Sequence, residues 1–108
     1  YCLNYDKNIN YIDHIKFLQN EGVGEILINS VHKEGCMNGY DINLLEKIYN
    51  DLETVVLING GASTSEDFKK VLEIDKVQGA CASSIFLFSE ETPGSIKKKM
   101  PSHIPLRY

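Results

Sequence analysis

Two short segments of this 108-residue chain carry groups suited to holding an anion. Asn59-Gly60-Gly61-Ala62-Ser63 follows a β-branched apolar run, Thr54-Val55-Val56-Leu57-Ile58. Glycine has no Cβ, so its backbone can approach a ligand and turn N–H groups toward it. Ala82-Ser83-Ser84 closes the next run of small residues, Val77 to Ala82, and leads into Ile85-Phe86. Two hydroxyls at the start of a helical turn, where N–H groups lack intrahelical partners, suit a phosphate. Each pair alone also reads as a tight turn or a pair of caps. Their recurrence one strand apart favours phosphate.

A third segment, Asn29-Ser30-Val31-His32-Lys33-Glu34-Gly35, offers an imidazole, an amine and a carboxylate at the end of another apolar run. His32 and Cys36 are four residues apart, but a metal at that spacing needs a helix and further ligands. No metal and no cofactor is expected. His14 is expected on a solvated helix face and His103 in an irregular tail. Cys81, inside the small-residue run, reads as a core thiol. Lys97-Lys98-Lys99, after Glu90-Glu91, reads as a solvated helix end, where cations complement the helix dipole.

The elements that must position these segments alternate. Ile12, Ile15 and Leu18 recur at helical spacing after Asn10, and Glu21-Gly22 ends that helix. A strand follows at Glu25–Asn29, then a polar loop from Ser30 to Gly39. Asp41 can cap a second helix, whose buried stripe is Ile42, Leu45 and Ile48, widened by Leu44 and Tyr49. Thr54–Ile58 is apolar on both faces, as in a parallel sheet covered by helices. Ser63 and Glu66 fit a capping box opening a third helix through Phe68, Val71 and Leu72. Thr92-Pro93 can start a last helix, and the tail from Met100 looks irregular. Alternating helices and strands with short connections predict a parallel α/β fold in a single unit, residues 1–108. In such folds ligands sit at the C-terminal ends of the strands, where all three segments fall.

Composition narrows the classes of partner. The net charge of −4 excludes the basic surface that non-specific nucleic-acid binding needs. No apolar run is long enough to span a membrane, and no signal peptide is visible. Three cysteines, Cys2, Cys36 and Cys81, with no CxxC pair, read as reduced thiols of a cytoplasmic protein. Tyr1-Cys2-Leu3-Asn4-Tyr5 alternates like a strand already under way, so the chain is expected to begin inside a longer protein, with a trimmed natural start as the alternative.

Gly22-Val23-Gly24-Glu25-Ile26-Leu27-Ile28-Asn29-Ser30, then Gly35, Gly39-Tyr40-Asp41, Asn59-Gly60-Gly61-Ala62 and Ala82-Ser83-Ser84-Ile85-Phe86 follow one another in a familiar order. The sequence resembles the cyclase subunits of imidazole glycerol phosphate synthase. The resemblance runs from the exit of that family's fifth strand to just past its eighth, and Gly39-Tyr40-Asp41 favours the cyclase over its sister phosphoribosyl isomerase. It implies the C-terminal half of a (βα)8 TIM-type barrel. Gly60, Gly61, Ser83 and Ser84 fall on positions that bind one phosphate of a bis-phosphate substrate. Gly35 falls in the loop that closes over the substrate, its N–H implied to meet the same phosphate. Asn59 and Glu34 fall on substrate-facing positions.

The family's two catalytic aspartates lie on strand ends that would precede Tyr1, so no catalytic residue is assigned here and the chain alone is expected to be inactive. The resemblance also implies lyase chemistry in histidine biosynthesis, with ammonia delivered by a glutaminase (glutamine amidotransferase) subunit. The loop departs from the family's Asp, Arg, Asp, Gly, Thr, reading His32, Lys33, Glu34, Gly35, Cys36. With Ile28-Asn29-Ser30 and Met37, this pattern looks like a paralogous branch that amidates surface-glycan sugars. A non-catalytic phosphate-binding half barrel and a truncated remnant are the other readings. Open strand edges, at Glu25–Asn29 and Val77–Ala82, are expected to promote self-association.

Overall fold

The structure is a computed structural model that describes residues 9–107. The expected opening strand at Tyr1–Tyr5 lies outside the described residues, as does Cys2. Helix α1 spans Tyr11–Asn20 and begins where the Asn10 side chain accepts from the N–H of Ile12 at 2.9 Å. It ends at Glu21, followed by Gly22 at φ +81°. Strand β1 is Glu25–Asn29, and helix α2, Ile42–Ile48, runs on into a 3-10 turn at Tyr49–Asp51. Strand β2 is Val55–Asn59, α3 is Ser65–Leu72, β3 is Val77–Cys81, α4 is Ser84–Phe88 and α5 is Pro93–Lys99.

The three strands form one parallel sheet in the order β1-β2-β3. β1 and β2 pair without a break, from Glu25 opposite Val55 to Asn29 opposite Asn59. Between β2 and β3 the register shifts: Val56 faces Val77, Leu57 faces Gly79, and Asn59 faces Cys81. The alternation of strand side chains puts Ile26, Val56, Ile58 and Val77 on one face, where they are buried. That face meets Ile15 of α1, Leu45 and Ile48 of α2, Phe68 and Val71 of α3, Ile85 of α4 and Ile96 of α5 in a single core.

The other face carries Leu27, 56% exposed, and the half-buried Val55 and Leu57. The two-sided apolar character of β2 predicts helices on both faces, yet among the described residues only one face is covered. An α/β layer with three parallel strands, helices on one side and an apolar opposite face fits a segment of a (βα) barrel wall, whose second face would be the barrel interior.

Two expectations need correction. The capping box of α3 is shifted by one residue: Thr64 is the N-cap and Asp67 its partner, not Ser63 and Glu66. The Asp67 carboxylate accepts from the N–H of Ser63 at 2.9 Å, the Ser63 hydroxyl at 2.8 Å and the N–H of Thr64 at 3.0 Å. Cys81 is exposed rather than a core thiol, because it ends β3 on the uncovered face beside Asn59.

Candidate functional site

The loop that leaves β1 is built around Ser30, which is buried. Its N–H donates to the carbonyl of Asn59 at 3.2 Å, and its own carbonyl accepts from the N–H groups of Lys33 at 2.9 Å and Glu34 at 3.1 Å. Its hydroxyl donates to Asp41 Oδ2 at 3.1 Å. Asp41 is also buried and caps α2, accepting from the N–H of Leu44 at 3.1 Å through Oδ1. His32 Nε2 stands 3.1 Å from the same Oδ2. One carboxylate thereby fixes the loop's first residue, its exposed imidazole and the helix that follows.

The turn anchored on Ser30 delivers the Glu34 carboxylate over the ends of β2 and β3. Glu34 Oε2 accepts from Asn59 Nδ2 at 3.0 Å, and Oε1 accepts from the Ser83 hydroxyl at 3.1 Å. Asn59 Nδ2 also donates to Asn29 Oδ1 at 2.8 Å. Asn29, Asn59, Glu34 and Ser83 make one polar row across the three strand ends.

Gly60 and Gly61 hold φ of +102° and +103°, a conformation that side chains disfavour. A Cβ on Gly60 would stand 2.8 Å from the Ser30 carbonyl oxygen, and one on Gly61 2.2 Å from that of Gly39. The N–H of Gly39 donates to the carbonyl of Gly61 at 2.7 Å. The glycine pair is therefore demanded by the loop backbone that lies against it, before any ligand is considered.

Tyr40 pins the loop's far end. It is buried, its hydroxyl donates to the carbonyl of Cys81 at 2.9 Å, and its ring meets Phe68 edge-on with centroids 5.6 Å apart. Burial raises the phenol pKa well above its ordinary value, and the neighbouring Cys81, Asp67 and Glu34 act in the same direction. Tyr40 therefore remains a hydroxyl donor at any physiological pH.

These contacts enclose a small cleft lined by Glu34, Gly35, Met37, Asn59, Gly60, Gly61, Ala62, Ala82, Ser83 and Ser84. All seven residues singled out from the sequence meet there: Gly35, Gly60, Gly61, Ser83, Ser84, Asn59 and Glu34. Ser83 is the N-cap residue of α4 and Ser84 its first helical residue, so the cleft opens at free N–H groups of a helix start. Hydroxyls, a carboxamide and glycine backbone can hold an oxyanion or a hydroxylated ligand. Among the described residues, Glu34 is the one ionisable side chain on the cleft wall. His32 and Cys36 do not line it. The Cys36 thiol donates to the carbonyl of His32 at 3.3 Å, and no group of three or more metal-ligating side chains occurs among the described residues.

Sequence reasoning found the cleft but missed its supports. It read Asp41 as a helix cap and as part of the Gly39-Tyr40-Asp41 motif, and did not pair it with the buried Ser30. A serine at a strand end gives no periodic signal, and its partner stands eleven residues away.

A parallel α/β layer with polar groups gathered at its strand ends fits a barrel-type class of protein. Comparison with known families names the class. The Histidine biosynthesis protein family matches residues 3–92, and the chain belongs to that family. Curated relatives include the imidazole glycerol phosphate synthase subunit HisF of Bacillus cereus (strain Q1), 35% identical over 95 residues, covering 88% of this chain and 38% of the relative. The HisF subunit of Natranaerobius thermophilus is 35% identical over 86 residues, covering 80% of this chain and 34% of that protein. The chain thus spans little more than a third of the length of these relatives. It has the α/β architecture of the C-terminal half of a (βα)8 barrel. No helix among the described residues is long and apolar enough to cross a membrane.

Proposed function

We propose that this chain supplies one phosphate-binding end of a HisF-like cyclase site. It binds a phosphorylated ribosyl-type substrate, and the barrel it belongs to uses ammonia from a glutamine amidotransferase (glutaminase) partner in histidine biosynthesis in the cytoplasm. The observation that supports this most is the convergence of Gly35, Gly60, Gly61, Ser83 and Ser84, with Asn59 and Glu34, on one cleft at the strand ends. Neutral donors and backbone N–H groups suit phosphate because several bind it at once with little desolvation. The relatives' names supply the rest of the reading.

The role assigned to this chain is binding, not proton transfer. General acid–base catalysis needs a donor and an acceptor within reach of the reacting atoms, and among the described residues the cleft wall offers the single carboxylate of Glu34. The chain alone should therefore not close the ring with ammonia as nitrogen source. Turnover above the uncatalysed background would overturn that assignment and direct attention to Glu34, His32 and Asp41.

The loop sequence favours a second reading. His32 stands where the family carries an aspartate and engages Asp41 instead. A paralogous barrel that amidates surface-glycan sugars fits this departure. Calorimetric titration of the protein carrying this chain tests the choice. Under the first reading ribose 5-phosphate binds and ribose does not. Equal affinity for the two sugars would remove the phosphate role, and preference for a nucleotide-linked sugar would favour the paralogue.

A further inference from the structure

We propose that Glu34 is a built-in competitor for the anion seat: its carboxylate latches the loop onto the strand ends by taking donors that an entering phosphate uses. The inference rests on the phosphate reading above and adds a gate to it. Both Glu34 oxygens accept from cleft groups, Oε1 from the Ser83 hydroxyl at 3.1 Å and Oε2 from Asn59 Nδ2 at 3.0 Å. Oε2 also lies 3.5 Å from the point where a Cβ on Gly60 would stand, so the carboxylate rests against the glycine turn. Its position is set by the backbone: the Glu34 N–H is held by the Ser30 carbonyl, and Ser30 by Asp41.

The latch can release at low cost. Glu34 is exposed, so a displaced carboxylate regains water without crossing the core. The next residue, Gly35, is exposed at φ +76° with open space where a Cβ would stand, leaving room for the turn to move. A phosphate arriving beside an unmoved Glu34 meets like charge at contact distance and finds the Ser83 hydroxyl already engaged. Binding therefore couples phosphate entry to loop opening at Glu34.

Titration with inorganic phosphate, followed through the amide signals of Gly60, Gly61 and Ser84, tests the gate in the protein carrying this chain. Glu34→Gln keeps the length and an acceptor for Ser83 but removes the charge, and Glu34→Ala vacates the seat. Both variants should bind phosphate about tenfold more tightly than the unaltered protein, equivalent to ~1.4 kcal/mol. If the unaltered protein binds saturably and both variants bind equally or more weakly, the gate is wrong and the phosphate site survives. If none of the three binds saturably while all retain the native circular dichroism, the phosphate reading fails and the gate with it.

Discussion

Gly39 and Gly61 lie backbone against backbone: the Gly39 N–H donates to the Gly61 carbonyl at 2.7 Å, and a Cβ on Gly61 would reach within 2.2 Å of the Gly39 oxygen. This contact closes the loop from β1 onto the turn after β2 and so forms one wall of the cleft. Gly61→Ala must move backbone and also holds a side chain at φ +103°. It should cost more than about 2 kcal/mol. Gly35→Ala, at φ +76° with open space around it, should cost only the left-handed conformation, about 1 kcal/mol. Urea unfolding of the two variants checks the contrast. Equal losses would mean that the close approach is absent in solution.

The Ser30–Asp41 clamp makes a second prediction. Both residues are buried, and removing the hydroxyl leaves a buried carboxylate oxygen short of one partner. Ser30→Ala should destabilise by about 1–3 kcal/mol. Asp41→Ala should do the same or worse, since it also loses the cap of α2. Hydrogen exchange should localise the effect, with the N–H groups of Lys33, Glu34 and Leu44 exchanging faster in Asp41→Ala. Unchanged protection there would contradict the clamp.

Acid sensitivity should centre on the start of α3. Burial works against ionisation of Asp67, but bonds from the Ser63 and Thr64 N–H groups and hydroxyls hold its carboxyl below the ordinary value. A carboxylate whose folded pKa is depressed contributes stability above its unfolded pKa and loses that contribution as pH falls through the folded pKa. Stability should therefore decline between the unfolded Asp67 pKa and the lower folded one, and Asp67→Asn should flatten that part of the profile. An unchanged acid limb in Asp67→Asn would place the loss elsewhere.

The uncovered sheet face makes a prediction about assembly. Leu27 on that face is 56% exposed, and Leu87 and Phe88 at the end of α4 are 74% and 76% exposed. Large apolar side chains left in water favour association when they lie together on a surface. The 108-residue chain by itself should dimerise or aggregate through these residues and the flanking strands β1 and β3. Sedimentation as a well-folded monomer at tens of micromolar would count against a half barrel.

The distribution of what the sequence reveals is itself physical. Apolar spacing located the helices: Ile15, Leu45, Ile48, Phe68 and Val71, chosen by periodicity, are all buried. The cap of α3 slipped by one residue because Ser63, Thr64 and Ser65 are all competent caps and Glu66 and Asp67 are both acids. The chain's entry into the helix, a tertiary matter, breaks that tie. Period-two alternation from the buried Val77 would put Cys81 on the core face; the register shift between β2 and β3 places it opposite Asn59 on the other face, and no local pattern announces that shift. Met37 at φ +50° was invisible, since nothing in methionine advertises a left-handed turn. The strand-end residues were found through glycine and serine chemistry and family resemblance, whereas the bonds joining them depend on distances between strands that no local pattern encodes.

The most direct measurement is the dissociation constant of the phosphorylated substrate for a reconstituted barrel carrying Ser84→Ala. Ser84 lines the cleft at the first position of α4, and under the proposed reading its hydroxyl is one donor toward a phosphate oxygen. Losing a bond to a charged group costs about 1–3 kcal/mol, so the constant should rise roughly tenfold or more. The circular dichroism should stay unchanged, because Ser84 is not the residue that caps the helix. An unchanged constant with the fold intact would mean that Ser84 serves only to start the helix, and would contradict the assignment of this cleft to phosphate.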